Sequence, residues 1–391
     1  MRRRALLFAA LLSPVAARAQ ETFAAFVAGI RREAAAWGIA EKTLDAAFRD
    51  VTAPDPKVAA RRQGQSEFSR PVWAYLAGAV SAGRVARGRA LAARHADLLA
   101  STERRTGVPP AVVVAVWGME SDFGADSGSI PTIRALATLA FLGHGGGTFR
   151  EELLAALRIL EAGHIAPERM RGSWAGAMGQ TQFMPSSYLR HATDGDGDGV
   201  ADIWGSGSDA LASTATFLAA SGWRAGQPWG AEVALPDDVD LAAHKADFSD
   251  FARRGLRRAD GAPLPRSGEA SLFLPAGRDG PAFLLAEANW EAIRAYNTSD
   301  AYALAVGHLA DRIAGGAPLA RAWPTAAPLL DRAGIRAVQR RLAADGLYSG
   351  EADGRLGRRT RDAVRAYQIR AGLVPDGYAG PALLAHLNGA R

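Results

Sequence analysis

Three stretches of this chain carry residue types at spacings that could do chemistry. In residues 106–124, TGVPPAVVVAVWGMESDFG, one carboxylate, Glu120, ends a run with no polar side chain from Ala111 to Met119. Two effects there raise a carboxyl pKa: partial burial penalises the charged form, and a helix C-terminus carries partial negative charge. A carboxylic acid still protonated near neutral pH is what a general acid needs. A solvated helix-end glutamate, or one satisfied in a core ion pair, would look the same in sequence. In residues 172–188, GSWAGAMGQTQFMPSSY, the small residues Ala175, Gly176, Ala177 and Gly179 let backbone approach backbone or ligand closely. Ser173, Gln180 and Gln182 add neutral hydrogen-bonding groups, which suit a polyhydroxylated, N-acetylated ligand better than a charged one. A tight turn whose amides satisfy its own backbone is the equal alternative. In residues 194–202, DGDGDGVAD, Asp194, Asp196, Asp198 and Asp202 fall at loop positions 1, 3, 5 and 9, with Gly199 at 6 and the Val200 carbonyl at 7. That is EF-hand spacing for a hard, oxygen-seeking cation, except that position 12 holds Gly205 where a bidentate Glu belongs.

Other polar residues near these stretches read more plainly. Asp122 lies two residues from Glu120, off its helix face, and is expected to cap the following turn rather than act as a second catalytic carboxylate. His164 and His191 flank the 172–188 run and read as hydrogen-bonded or exposed histidines. The glycine-rich His144-Gly145-Gly146-Gly147 follows no strand and lacks a Gly-Lys-Ser/Thr ending, which argues against a phosphate loop. It reads as a mobile turn near a cleft.

The acid needs a rigid support. Pro109 and Pro110 suit the first turn of a helix, where a missing N–H costs nothing. The Val112-Val113-Val114 triplet would equally suit a buried strand, but the proline entry and the Ser-Asp-Phe-Gly exit favour a helix buried all round. Helical spacing of apolar residues recurs over 21–50, over 68–99 with interruptions at Gly78 and Gly83, and over 132–142, 151–160 and 289–313. Between 229 and 275, prolines punctuate short runs such as Glu232-Val233-Ala234-Leu235 and Ser271-Leu272-Phe273-Leu274, which read as small strands of an inserted α+β lobe. An Ala/Pro/Gly-rich linker is expected at 315–328. After it a pattern repeats. Val338-Gln339 precedes Gly346-Leu347 and Asp353-Gly-Arg-Leu-Gly357, and Tyr367-Gln368 precedes Gly372-Leu373 and Asp376-Gly-Tyr-Ala-Gly380. Each half reads as a helix, a glycine-led turn and an Asp-Gly loop that opens the next helix.

At 391 residues, 48% of them hydrophobic, the chain holds two or three folded units. Residues 1–19 are excluded from the fold. Arg2-Arg3-Arg4, the apolar run from Ala5 to Leu12 and Ala17-Arg18-Ala19 have the layout of a secretory signal cleaved after Ala19, with an uncleaved anchor as the alternative. No other stretch is long and apolar enough to span a membrane. There is no cysteine, hence no disulfide and no lipid-bearing N-terminal Cys. Removing Arg2, Arg3, Arg4 and Arg18 cuts the formal charge from +6 to +2, so nucleic-acid binding gains little support. An exported, cysteine-free chain points to a soluble periplasmic protein, and a monomer is expected.

Val116-Trp-Gly-Met-Glu-Ser-Asp-Phe-Gly124, the 172–188 run, and Tyr296-Asn-Thr-Ser299 with Tyr302 occur in the order seen in B-type lytic murein transglycosylases. Residues 21–314 resemble that family, and the repeat after the linker resembles peptidoglycan-binding-domain-1 modules. The resemblance implies a mainly α (α+β) fold. Its parts are a lysozyme-like helical catalytic core with a small inserted β-containing lobe (20–314), the linker (315–328) and a three-helix peptidoglycan-binding domain (329–391). It implies non-hydrolytic cleavage of the MurNAc-β-1,4-GlcNAc bond of peptidoglycan to 1,6-anhydroMurNAc ends. Glu120 would be the single acid/base, and Ser173, Gln182, Tyr296, Asn297 and Tyr302 would line sugar subsites or hold the acid. Tyr75, in Arg70-Pro-Val-Trp-Ala-Tyr75, is a further cleft candidate. A hydrolytic muramidase of the same fold, or a wall-binding scaffold without catalysis, are the alternatives. The chemistry needs no cofactor. Some family members carry an EF-hand-like calcium loop whose last ligand lies later, which implies a structural Ca2+ site from Asp194, Asp196, Asp198, the Val200 carbonyl and Asp209. The expected partners are peptidoglycan glycan strands and other cell-wall enzymes.

Overall fold

The computed structural model describes residues 21–61 and 70–389; the expected export signal at 1–19 lies outside them. At the centre is the helix Pro110–Ser121, which settles the helix-or-strand ambiguity of the valine triplet. Pro110 occupies its first turn, and every residue from Val112 to Gly118 is buried. A helix with no polar face must be enclosed by others. Its principal neighbour is the helix Asp300–Ile313, which buries Tyr302, Leu304, Val306 and Leu309 against it. The helices Ala82–Arg94, Ala96–Thr106 and Gly207–Ala220 complete the enclosure, and Val72–Ala79 packs on Asp300–Ile313. Gly118 is needed here, since a Cβ on it would sit 2.7 Å from the Phe123 ring. The break in the 68–99 pattern falls at Val80–Ser81, where Ser81 accepts from Arg84 N–H as an N-cap; Gly78 and Gly83 both lie inside helices. A second core joins Phe23–Ala36, Glu41–Phe48, Thr132–Phe141 and Thr148–Glu161 through Ile30, Leu44, Leu136, Leu153 and Leu157. His144 to Gly147 form a kinked turn between the last two of these helices, its three exposed glycines all at positive φ.

The inserted lobe is a five-stranded antiparallel sheet in the spatial order Lys245–Asp247, Glu269–Phe273, Ala282–Ala286, Gly230–Ala234, Arg257–Arg258. Register pairs Leu272 with Leu284 and Val233 with Ala282. The middle strand, Ala282–Ala286, lies beyond the 229–275 span that the prolines marked. All five of its residues are buried, so it lacks the alternation that identifies a half-buried strand. The 289–313 pattern is two helices, Glu287–Tyr296 and Asp300–Ile313, broken at Asn297–Ser299.

The C-terminal module packs the helices Arg332–Ala344, Arg358–Arg370 and Pro381–Leu387 around Val338, Leu342, Val364 and Leu387. The sequence repeat has a physical basis. Gln339 Nε2 donates to Asp353 Oδ1 (3.0 Å) while its Oε1 accepts from Gly354 N (2.8 Å). Gln368 makes the same two bonds to Asp376 Oδ1 (2.8 Å) and Gly377 N (2.9 Å). Each glutamine locks the Asp-Gly loop that follows it. The segment joining the modules is held to the sheet: Glu232 accepts from the N–H groups of Ala320 (2.7 Å) and Arg321 (2.9 Å), and Trp323 stacks on Phe283.

Candidate active site

Glu120 occupies the last turn of the Pro110–Ser121 helix and is half-buried. The turn is fixed from both sides. Ser121 Oγ donates to the Gln180 carbonyl (2.7 Å) and accepts from Gly124 N (3.0 Å), and the Trp117 indole N–H donates to Gln180 Oε1 (3.0 Å). Asp122 (φ 51°) and Phe123 (φ 61°) are both left-handed, uncommon for residues other than glycine, and turn the chain sharply away after the acid. Asp122 caps the helix through its backbone, its N–H donating to the Trp117 carbonyl, while its carboxylate turns to Arg84 (3.4 Å) and Arg87. Burial would raise the Asp122 pKa, but the hydrogen bond and charge of Arg87, with the charge of Arg84, hold it below the usual carboxylate range.

Tyr302 and Tyr296 lie at the acid, and Tyr75 lies near Tyr302. Tyr302, buried in the first turn of the Asp300–Ile313 helix, donates its phenol hydrogen to Glu120 Oε1. Burial and the neighbouring Glu120 charge push the Tyr302 pKa well up, with Tyr296 and Tyr75 adding to the shift, so Tyr302 stays a donor. Tyr296, the last residue of the Glu287–Tyr296 helix, donates to Thr214 Oγ1 (3.3 Å) and lies against Phe217. Burial, then the Glu120 charge, raise its pKa as well, while the Thr214 hydrogen bond opposes them. Tyr75, on the Val72–Ala79 helix, packs against the central core. Asn297 breaks the two helices: its Oδ1 accepts from Ser299 N (3.0 Å), and Ser299 in turn caps the next helix.

Residues 172–184 form the loop packed against the end of the acid helix, and 185–188 open the helix Pro185–His191. Gly172 must lack a side chain, because a Cβ there would lie 1.9 Å from the Ala177 carbonyl oxygen. Ser173 Oγ accepts from Ala175 N (3.3 Å) and Ala177 N (3.2 Å). Gln182, left-handed at φ 51°, commits its amide hydrogens to the carbonyls of Ser127 (2.9 Å) and Gly179 (2.8 Å). Gln180 is buried between Trp117 and the Trp204 carbonyl, which makes it a structural residue. Thr214 and Arg87 had no signal in sequence; each meets the site only through packing of distant helices. His191 lies edge-on to Phe217, its pKa lowered by burial and Arg190, and His164 lies edge-on to Tyr188.

In the acidic loop the carboxylates of Asp194, Asp196 and Asp209 lie within 4.8 Å of one another. Asp198 is outside that group, its Oδ1 accepting from the N–H of the exposed Val200 (2.8 Å), and Asp202 turns to Arg169 (3.3 Å). Asp209 is buried at the start of the Gly207–Ala220 helix, and burial raises its pKa. Three gathered carboxylates, one of them buried, repel one another and fit a hard divalent cation.

A transglycosylase SLT domain model matches residues 22–311, and a peptidoglycan binding domain model matches residues 331–387. The structure superposes on SltB3 from Pseudomonas aeruginosa, solved in complex with NAG-anhNAM-pentapeptide, with a TM-score of 0.87 and 47% identity, over 94% of this chain and 100% of that one. The Escherichia coli lytic transglycosylase Slt35, solved in complex with calcium, is 28% identical with a TM-score of 0.62, over 74% of this chain and 92% of its own. Membrane-bound lytic murein transglycosylase B of Escherichia coli K12 is 34% identical over 214 residues, which is 53% of this chain and 58% of that protein. The chain belongs to the transglycosylase SLT domain family and carries a peptidoglycan binding domain after it.

Proposed function

We infer that this chain is a lytic transglycosylase that cleaves the MurNAc-β-1,4-GlcNAc bond of peptidoglycan and leaves 1,6-anhydroMurNAc ends. One observation carries the reading: Glu120 is held by Tyr302, while Asp122, the carboxylate nearest in sequence, is bound to Arg84 and Arg87. Inverting and retaining hydrolases of the usual kind place a second carboxylate across the bond. A transglycosylase needs one. Glu120 protonates the glycosidic oxygen as the bond to the muramyl C1 breaks, and the substrate's acetamido oxygen stabilises the oxocarbenium-like carbon. The carboxylate then takes a proton from the C6 hydroxyl, which closes on C1 within the same sugar. Intramolecular attack has a high effective molarity, so no activated water is required.

In this reading Tyr75, Tyr296 and Asn297 line sugar subsites beside the acid, and the loop of Ser173 and Gln182 forms the facing wall. Residues 20–314 form the catalytic module, 315–328 the linker and 329–391 the wall-binding module. The relatives' cell-wall substrates and the signal-like layout of residues 1–19 support a periplasmic location; no helix among the described residues is long and apolar enough to cross a membrane. Asp194, Asp196 and Asp209 would hold a structural Ca2+. The test is mass spectrometry of sacculi digested by the wild type and by Glu120→Gln. The wild type is expected to release muropeptides one water lighter than the hydrolytic products, and Glu120→Gln none. Only reducing muramic ends from the wild type would instead establish a muramidase, and full activity in Glu120→Gln would remove the acid from its role.

A further inference from the structure

The wall-binding module does more than follow the catalytic module on a linker: it reaches the helix that carries Tyr302, the hydrogen-bond partner of the acid. Arg361, on the Arg358–Arg370 helix, places its Nε 3.5 Å from Asp300 Oδ2, and Arg294 Nε lies 3.1 Å from Asp300 Oδ1. The Asp300 and Arg361 side chains are 11% and 14% exposed. The Arg361 guanidinium also covers the Phe273 ring at 4.8 Å. Alongside, Arg358 pairs with Glu287 (3.2 Å) and Glu291 (2.6 Å), and Asp376 Oδ2 accepts from Arg278 N (3.3 Å). A cleft of about 810 Å3 opens between the modules at this point, with Trp73, Arg294, Asp300, Arg358 and Tyr378 in its walls.

Asp300 is the first residue of the helix whose third residue is Tyr302. Ser299 before it accepts from Tyr302 N (3.4 Å), and Arg294 donates to the Thr298 carbonyl (3.1 Å). The Arg294–Asp300–Arg361 group therefore clamps the break between the helices that present Tyr296 and Tyr302 to Glu120. A largely buried carboxylate between two guanidiniums loses much of its compensation if one is removed, and the first turn it anchors must then adjust. An adjustment well under the width of an atom at Tyr302 matters, because a positioned acid tolerates little misplacement.

We propose that Arg361 of the wall-binding module is a positioning residue for the catalytic acid, acting through Asp300 and the Tyr302–Glu120 hydrogen bond. It rests on the reading that Glu120 is the acid. The two modules are then one catalytic unit, and docking of the second sets the turnover of the first even on substrate that needs no tether.

The test uses the full chain and a soluble, peptide-free glycan tetrasaccharide, a substrate too short to depend on wall tethering. Arg361→Ala is expected to lower kcat by about ten-fold with little change in KM. Arg361→Lys, which keeps a charge within reach of Asp300, is expected to recover most of that loss. In a Tyr302→Phe background, Arg361→Ala should cost less than about two-fold more, the non-additivity of residues acting through one contact. Binding to sacculi, measured by co-sedimentation, is expected to stay at the wild-type level. Wild-type kcat in Arg361→Ala, a loss confined to KM, or full additivity with Tyr302→Phe would overturn the proposal. Should Arg361→Ala also lose sacculus binding, Asp300→Asn decides from the catalytic side: the same fall in kcat supports the clamp, and wild-type turnover removes it. Glu120→Gln run in parallel separates the two readings. Activity in Glu120→Gln overturns the acid assignment itself, whereas an inactive Glu120→Gln beside a fully active Arg361→Ala overturns only the clamp.

Discussion

Tyr302 and Glu120 act on each other. Burial first, and then the Glu120 charge, keep the Tyr302 phenol protonated, and the phenol in turn holds one oxygen of the carboxylate. Tyr302→Phe is therefore expected to lower kcat by about ten-fold or more, through loss of a positioned donor. A wild-type kcat in that variant would mean that Tyr302 does not position Glu120. Sequence could nominate Glu120 because burial and helix end are local properties. That Tyr302, 182 residues later, is the residue touching it is a matter of helix packing. Gln180 shows the opposite limit: the residue type suited a sugar ligand equally well, and only its indole and carbonyl partners reveal it as structural.

Among the elements, the loop from Asp194 to Val200 supplies two of the three gathered carboxylates, Asp194 and Asp196. Its own backbone already satisfies part of it: Asp194 accepts from Gly197 N (2.6 Å) and Gly199 N (2.8 Å), and the latter bond leads the effects that lower its pKa. Asp209 accepts from Gly195 N (2.8 Å) and Asp202 N (2.7 Å), tying the loop to the Gly207–Ala220 helix. A cation held by Asp194, Asp196 and Asp209 would fasten that junction and stabilise the folded state by mass action. Millimolar Ca2+ is expected to raise Tm by about 2–4 °C per kcal/mol of binding in the wild type, and not in Asp194→Asn. An unchanged wild-type Tm with Ca2+ would leave the loop as a solvated acidic turn. EF-hand spacing was visible in the sequence; the displacement of Asp198 and Asp202 from the carboxylate group was not, since it depends on Arg169 and on local turns.

For the whole molecule, the global stability has an acid limit built into the central core. His308, buried on the Asp300–Ile313 helix, has its pKa pushed down to about 4, first by burial and then by the Arg312 charge. Its ordinary value is 6.5, so the unfolded chain takes up the proton that the folded chain refuses. The stability this histidine allows is complete above that ordinary value and is lost as pH falls towards the folded one. Between pH 7 and pH 5 the loss should be about 2 kcal/mol. Urea unfolding at the two pH values should show a smaller drop for His308→Gln than for the wild type, and an equal drop would assign the acid limit to other groups. The same helix carries His308, Tyr302 and the docking partner Asp300.

Features that depend on neighbours a few residues apart were legible in the chain alone. These include the all-apolar helix with its proline entry, the acid at its end, the acidic loop and the duplicated Gln and Asp-Gly pattern whose hydrogen bonds close within 15 residues. Tertiary structure decided what depends on distant packing. It placed the fully buried strand Ala282–Ala286 in the middle of the sheet, sent Asp122 to two arginines, and brought Tyr302 to Glu120. It also set the C-terminal module against Asp300. Local spacing encodes propensity and amphipathic face; the choice among many possible long-range partners is made only when whole surfaces are buried together.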